Sequence, residues 1–196
     1  MEFDISQINE LIASRRSVFP KQYTQEPVAD HTIQQMLENA NWAPTHGLTQ
    51  PWRFVVFKGA GLKKLAEFQS GLYRSIAEEA GDFDQIKFDK LAKKPLMASH
   101  IIAIGMSRSL KGKVPEIEEV EAVACAVQNM YLTATAYGVG CYWGSGGITY
   151  RTEANAFFGL SESDKLLGFL YVGNVEGDWP KGRRKPIADK VEWISE

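Results

Sequence analysis

The sequence predicts an α+β fold, a central β-sheet flanked by helices, in a single domain over residues 1–196. Three observations carry this. Five segments with helical apolar spacing bracket three short strand-like runs. One helical segment, Glu116 to Tyr137, is apolar nearly all round, as the central helix of a core would be. No repeat, low-complexity tract or linker divides the chain. With 196 residues, 44% hydrophobic and 23% charged, the chain is long enough to bury a core and unlike a disordered one.

The elements follow in order. Ser6 to Ser14 is a helix with Ile8, Leu11 and Ile12 on one face. Arg15 to Pro27 is non-helical and holds Pro20 and Pro27. A second helix starts with Asp30 as expected N-cap and repeats Ile33, Met36, Leu37 and Ala40. Pro44 and Gly47 enforce a loop before the strand Trp52 to Phe57. Leu62 to Glu79 and Phe83 to Lys94 are helices, the latter stopped by Pro95. Ser99 to Met106 is continuously apolar and β-branched, a buried strand. Lys111 to Pro115 is a polar loop. Glu116, Glu118 and Glu119 suit the positive end of the long helix, and Gly138 its left-handed stop. A glycine-rich loop spans Gly144 to Gly147, and Leu166 to Val172 is the third strand.

Charge and chemistry narrow the function. Twenty-two basic and 24 acidic side chains leave a net charge of −2, with no call for nucleic acid or an anionic membrane. The opening Met1 to Asp4 is acidic and no apolar run follows, so no secretory signal is expected. No stretch approaches the ~18 apolar residues of a membrane span. A reducing cytoplasm is the expected compartment, with Cys125 and Cys141 as buried, reduced thiols. The three histidines, His31, His46 and His100, lack metal-ligand spacing, so no metal is expected. Gly138-Val139-Gly140 follows a helix rather than a strand, unlike a dinucleotide loop. Trp143 to Gly147 is one glycine short of a nucleophile elbow.

Four features remain. Arg15-Arg16-Ser17 offers two guanidinium forks and a hydroxyl, a phosphate grip or a solvated helix end. Lys181 to Lys185 is a second basic run, an exposed charge cluster or the other half of that grip. Ala43 to Trp52 carries hydroxyls, an imidazole and an amide, fit for a heterocycle edge or for ordinary turn chemistry. Tyr142 to Gly147 lets backbone approach a flat ring, or simply joins two elements.

The order of these features, Arg-Arg-Ser, then Gln50-Pro51-Trp52, then the glycine-rich loop, then the late basic segment before Pro186, resembles the nitroreductase family from about Leu11 to Trp193. The resemblance implies an intertwined homodimer with FMN at the interface. It implies an oxidoreductase that passes hydride from NAD(P)H through FMN to a small-molecule acceptor such as a nitroaromatic or quinone. It implies that Arg15, Arg16 and Ser17 bind the FMN phosphate and ribityl chain, with Arg184, or Arg183, joining them. Thr45 and His46 would reach the flavin from the other subunit, in a loop closed by Gln50 and Trp52. Trp143, Gly144, Ser145 and Gly146 would pack beside the isoalloxazine, with a backbone N–H facing N5. No side chain is assigned a catalytic role, because the flavin carries the chemistry. Gly61 to Lys94 and Leu110 to Pro115 would shape the acceptor face. The chain departs from the family pattern at Phe19, where a basic residue is usual, and at Leu48, where Asn is usual. Dehalogenation, flavin breakdown and non-catalytic flavin binding are the alternatives.

Overall fold

The computed structural model describes residues 2–109 and 113–195. Part of the expected polar loop and acceptor face, Leu110 to Gly112, lies outside them. Five helices, α1 (Ile5–Ser14), α2 (Asp30–Ala40), α3 (Ala60–Ala80), α4 (Gln85–Lys93) and α5 (Glu116–Ala136), surround one sheet. Its strands are β1 (Trp52–Lys58), β2 (His100–Met106), β3 (Val139–Gly144) and β4 (Lys165–Asn174). They run in the order β1-β2-β4-β3, every neighbouring pair antiparallel. The expected α+β architecture with a flanked central sheet is what the chain adopts.

Strand alternation sorts the core into two layers. Ile102, Ile104, Leu170 and Val172 face α2 and α5. Ile101, Ala103, Phe169 and Tyr171 face the opposite layer, with Leu65 of α3 and Phe158 of a 3-10 segment, Thr152–Phe158. Every residue of β2 is buried, as its unbroken apolar run required.

Three expectations need correction. Asp30 is not the N-cap of α2: Ala29 holds that place, and the Asp30 carboxylate is drawn instead to Lys58 and His100. By contrast, α4 ends before Pro95 as expected, and a 3-10 turn, Lys94–Met97, follows with the proline near its start, where no N–H is needed. Val139 to Gly144 is a fourth strand beside the three expected, and the glycine-rich loop begins where it ends. Finally, α5 leaves a stripe of Ile117, Glu121, Cys125 and Gln128 open to solvent, so Cys125 is an exposed thiol while Cys141 is buried.

The three acidic residues at the start of α5 do more than face the dipole. Glu116 pairs with Lys165 of β4 at 3.0 Å, and Glu118 with His46 at 2.5 Å. Glu119, fully buried, meets Arg108 and accepts the Ser109 N–H at 2.9 Å. They fix this end of α5 to the sheet and to the loop before β1.

Candidate functional site

The site grows from the place where α1 stops. Arg15 leaves the helix with extended backbone, and the chain then runs along the outer edge of β3. The Val18 N–H donates to the Cys141 carbonyl at 2.8 Å. This edge contact fixes Ser17 beside β3 and turns Arg15 toward α5, its guanidinium carbon 5.1 Å from the centroid of the Tyr131 ring. Tyr131 also accepts the Trp143 N–H at 2.6 Å. One tyrosine thus joins the Arg-Arg-Ser segment to the glycine-rich segment. Burial pushes its hydroxyl pKa upward, so it stays neutral and keeps a proton to donate.

Between these parts lies a cavity of about 440 Å³, walled by Arg15, Ser17, Gln128, Tyr131, Trp143 and Ser145 among others. A second cavity of about 550 Å³ shares Arg15 and Gln128 with it and adds Arg16, Gly182, Arg183 and Arg184. The two basic clusters, from opposite ends of the chain, therefore converge.

Arg16 makes that convergence possible. Its Nε donates to the Pro180 carbonyl at 2.9 Å, and Nη1 to the carbonyls of Ala13 at 2.5 Å and Arg15 at 2.8 Å. Gly182 lies flat against the same guanidinium, where a Cβ would stand 2.4 Å from Nη2. Most of the Arg16 donors are thus committed to carbonyls. Arg16 clasps the tail, and Arg15, Arg183 and Arg184 are the cations left facing the cavity.

The glycine-rich segment is placed by β4. The Trp143 indole N–H donates to the Leu167 carbonyl at 3.0 Å. The neighbouring Gly168 has φ +127°, and a Cβ there would meet the Gly144 carbonyl at 2.6 Å. Residues 141 and 143 turn their backbone outward on the free edge of β3, and alternation puts Ser145 next in that row. Among the described residues the Ser145 N–H has no partner. Trp143 and Ser145 line the cavity. Gly144 instead spares room on the other face of the strand, for the Tyr142 ring, and Gly146 stands in open space.

The loop before β1 lies elsewhere. Thr45 and Thr49 share a hydrogen bond of 3.0 Å, and Thr45 Oγ1 accepts the Gln50 N–H at 3.2 Å. Gly47, Leu48 and Gln50 all have positive φ, a strained loop. His46 is tied to Glu118, ten residues before Gln128 on α5, or roughly 15 Å along the helix. Within one protomer the structure does not bring Thr45, His46 or Gln50 to the Arg15 cavity. Trp52 is core, its indole N–H donating to Asn41 Oδ1 at 3.0 Å, so its part in the loop is to fasten it. Sequence reading missed Gln128, Tyr131 and Tyr150 as cavity walls. The signal was there for two of them: Gln128 and Tyr131 are polar, three apart, on one face of an otherwise apolar helix.

The sequence matches the model of the nitroreductase family over residues 12–174. The chain belongs to the nitroreductase family. Among similar family members, YdjA of Escherichia coli (strain K12), provisionally named an NAD(P)H nitroreductase, is 33% identical over 167 residues, 85% of this chain and 87% of that one. A 5,6-dimethylbenzimidazole synthase of Rhodospirillum rubrum is 26% identical, covering 96% of this chain and 89% of its own. A nitroreductase-like family protein from Bacillus cereus superposes with a TM-score of 0.81 at 26% identity, over 99% of both chains. A nitroreductase-type structure from Desulfovibrio desulfuricans, solved with FMN, shares the fold with a TM-score of 0.68 at 23% identity, over 97% and 96% of the chains.

Proposed function

We propose that this nitroreductase-family chain is an FMN-dependent oxidoreductase that uses NAD(P)H to reduce a small acceptor of the nitroaromatic or quinone class. The observation that carries the reading is the meeting of Arg15 with Arg183 and Arg184 in one cavity that continues past Tyr131 to Trp143 and Ser145. Cations at one end suit a terminal phosphate, and flat aromatic walls with an unpaired edge N–H suit a heterocycle. The residues present therefore fit FMN. When bound, FMN supplies hydride chemistry that no side chain here provides.

The chain's own residues bind and orient. Arg15 and Arg184, with Arg183 beside them, hold the phosphate, and the Ser17 hydroxyl adds a compact donor. Arg16 holds the tail that carries Arg183 and Arg184. Trp143 walls the ring site, and Ser145 offers its backbone N–H to the ring edge. Thr45, His46 and Gln50 complete the site from a second protomer. That placement is supported by their distance from the cavity of their own chain and by the exposed, positive-φ Leu48 at the loop tip.

A visible spectrum of the purified protein and chromatography of the heat-released pigment test the cofactor. FMN is expected, and FAD as the main species overturns the reading. Removing one guanidinium from a phosphate grip costs roughly 1.5–3 kcal/mol. Arg15→Ala should therefore weaken FMN about tenfold or more, while riboflavin, lacking the phosphate, is nearly indifferent. Equal weakening of both assigns Arg15 a merely structural part. Turnover of NAD(P)H that depends on a quinone supports the reductase. Accumulation of 5,6-dimethylbenzimidazole without such turnover would favour oxygen-dependent flavin breakdown, a second reading supported by the likeness to the synthase.

A further inference from the structure

On the other face of β3, sharing no lining residue with the Arg15 cavities, lies a pocket of about 430 Å³. Its floor is aromatic. The Phe19 and Tyr142 rings lie 4.5 Å apart, and Tyr142 pairs across the strands with Tyr171. Pro20 and Met97 complete the apolar wall. Its polar groups are four ammoniums: Lys21, Lys90, Lys93 and Lys94.

Lys94 is the unusual one. It is half-buried, and its Nζ stands 4.5 Å from the centroids of both Tyr142 and Tyr171. Burial, aided by the charge of Lys90, lowers its pKa. Two ring faces offset part of the cost of desolvating an ammonium, but the like charge of Lys90 adds to it. Of the four lysines only Lys93 has a carboxylate partner among the described residues, Asp89 at 3.7 Å, and that pair is exposed. Positive charge is therefore gathered around a flat apolar floor, and among the described residues Lys21, Lys90 and Lys94 have no carboxylate to balance them. A volume in the range of small-ligand sites, stacking rings and converging cations describe the counterpart of one ligand chemistry.

We propose that this pocket binds a flat aromatic carboxylate of one or two rings, its ring laid against Phe19, Pro20 and Met97 and its carboxylate turned to Lys94 and Lys90. The site stands independently of the FMN reading. Phe19, the position that departs from the family pattern, is the wall that makes it.

The test is calorimetric titration of the protein as purified with naphthoate and with its uncharged amide, neither of which accepts hydride from a flavin under these conditions. Naphthoate should bind roughly tenfold or more tightly than the amide at low salt, and the difference should shrink at high salt. Lys94→Met, which keeps stem length, should abolish the preference. Lys90→Gln, at an exposed position that folding does not depend on, should weaken naphthoate several-fold. Arg15→Ala should leave naphthoate binding unchanged. Equal affinity for acid and amide overturns the proposal. So does naphthoate binding that Arg15→Ala removes and Lys94→Met spares, which would put the carboxylate in the Arg15 cavity.

Discussion

Ser145 shows how much of this site is backbone. Its side chain is exposed, and its N–H is the next outward donor on the edge of β3 after Trp143 has given its own to Tyr131. A side-chain role and a backbone role predict different variants. Ser145→Ala keeps the N–H and should retain most flavin binding and reduction. Ser145→Pro deletes the donor and fixes φ. Leaving a ring acceptor without that donor costs on the order of 1–3 kcal/mol, so flavin reduction by NAD(P)H in stopped flow should slow about tenfold or more. Circular dichroism checks that both variants fold, and an alanine variant as impaired as the proline one would return the role to the hydroxyl. At this scale the sequence was most informative where residues act through charge. Arg15, Arg183 and Arg184 line one cavity, so the two basic runs read from opposite ends of the sequence do meet. Arg16 was not separable from Arg15 by type, since only the tail's return path shows which of the two is spent on carbonyls. Trp52 was misjudged for a similar reason: a tryptophan beside a polar loop serves a ligand or a core equally well until its indole partner, Asn41, is known.

Between elements, two junctions carry measurable weight. His100 on β2 is buried, accepts from the Ser99 hydroxyl at 2.9 Å and reaches Asp30 of α2 at 3.2 Å, while Lys58 of β1 holds the same carboxylate. Burial lowers the His100 pKa, and the Asp30 hydrogen bond only partly opposes it. The unfolded chain therefore takes up this proton first. Stability from His100 is present in full above the ordinary histidine range and is lost as pH falls through that range and below it. Urea midpoints across that window should fall for the parent protein and fall less steeply for His100→Gln; parallel curves would assign the loss elsewhere. The second junction is a glycine pair. Gly140 of β3 faces Gly173 of β4, and the Tyr23 ring covers both. A Cβ on Gly173 would come 2.4 Å from that ring, and the Tyr23 hydroxyl is held by the carbonyls of Val18 at 2.8 Å and Tyr171 at 3.1 Å. Gly173→Ala should cost about 1–3 kcal/mol by overpacking, seen as a lower midpoint in chemical denaturation. An unchanged midpoint would mean that Tyr23 moves freely. The same glycines explain why β3 was illegible. Strand periodicity is read from side chains, and here glycines open and close the run so that a ring and an ammonium can lie against bare backbone. The five helices and the other three strands were legible because each keeps an unbroken apolar pattern.

For the whole molecule, what stays outside the core is as informative as what enters it. No residue of α1 is buried, Trp42 is 85% exposed, and in the tail Trp193 is 91% and Ile194 84% exposed. The open stripe of α5 adds Ile117 and Cys125. Apolar surface of this extent marks an interaction site, and a symmetric pair of chains is the expected way to cover it. Among the described residues no helix is long and apolar enough to cross a membrane. Light scattering behind size exclusion should give twice the chain mass. A tryptophan at an interface centre is worth about 2 kcal/mol or more, so Trp193→Ser should move dissociation to at least tenfold higher protein concentration. A flavin-loaded monomer at micromolar concentration would contradict a site completed by the second chain.

The clasp between Arg16 and Pro180 spans 164 residues. Its timing on the ribosome follows from that span. Synthesis proceeds N-terminus first, so the guanidiniums at the end of α1 emerge well before the segment that completes them. Until Pro180 has left the exit tunnel, Arg183 and Arg184 cannot stand beside Arg15, and the proposed phosphate grip is only half assembled. On the proposed reading, flavin loading waits for that segment, and a chain released before Pro180 would be colourless.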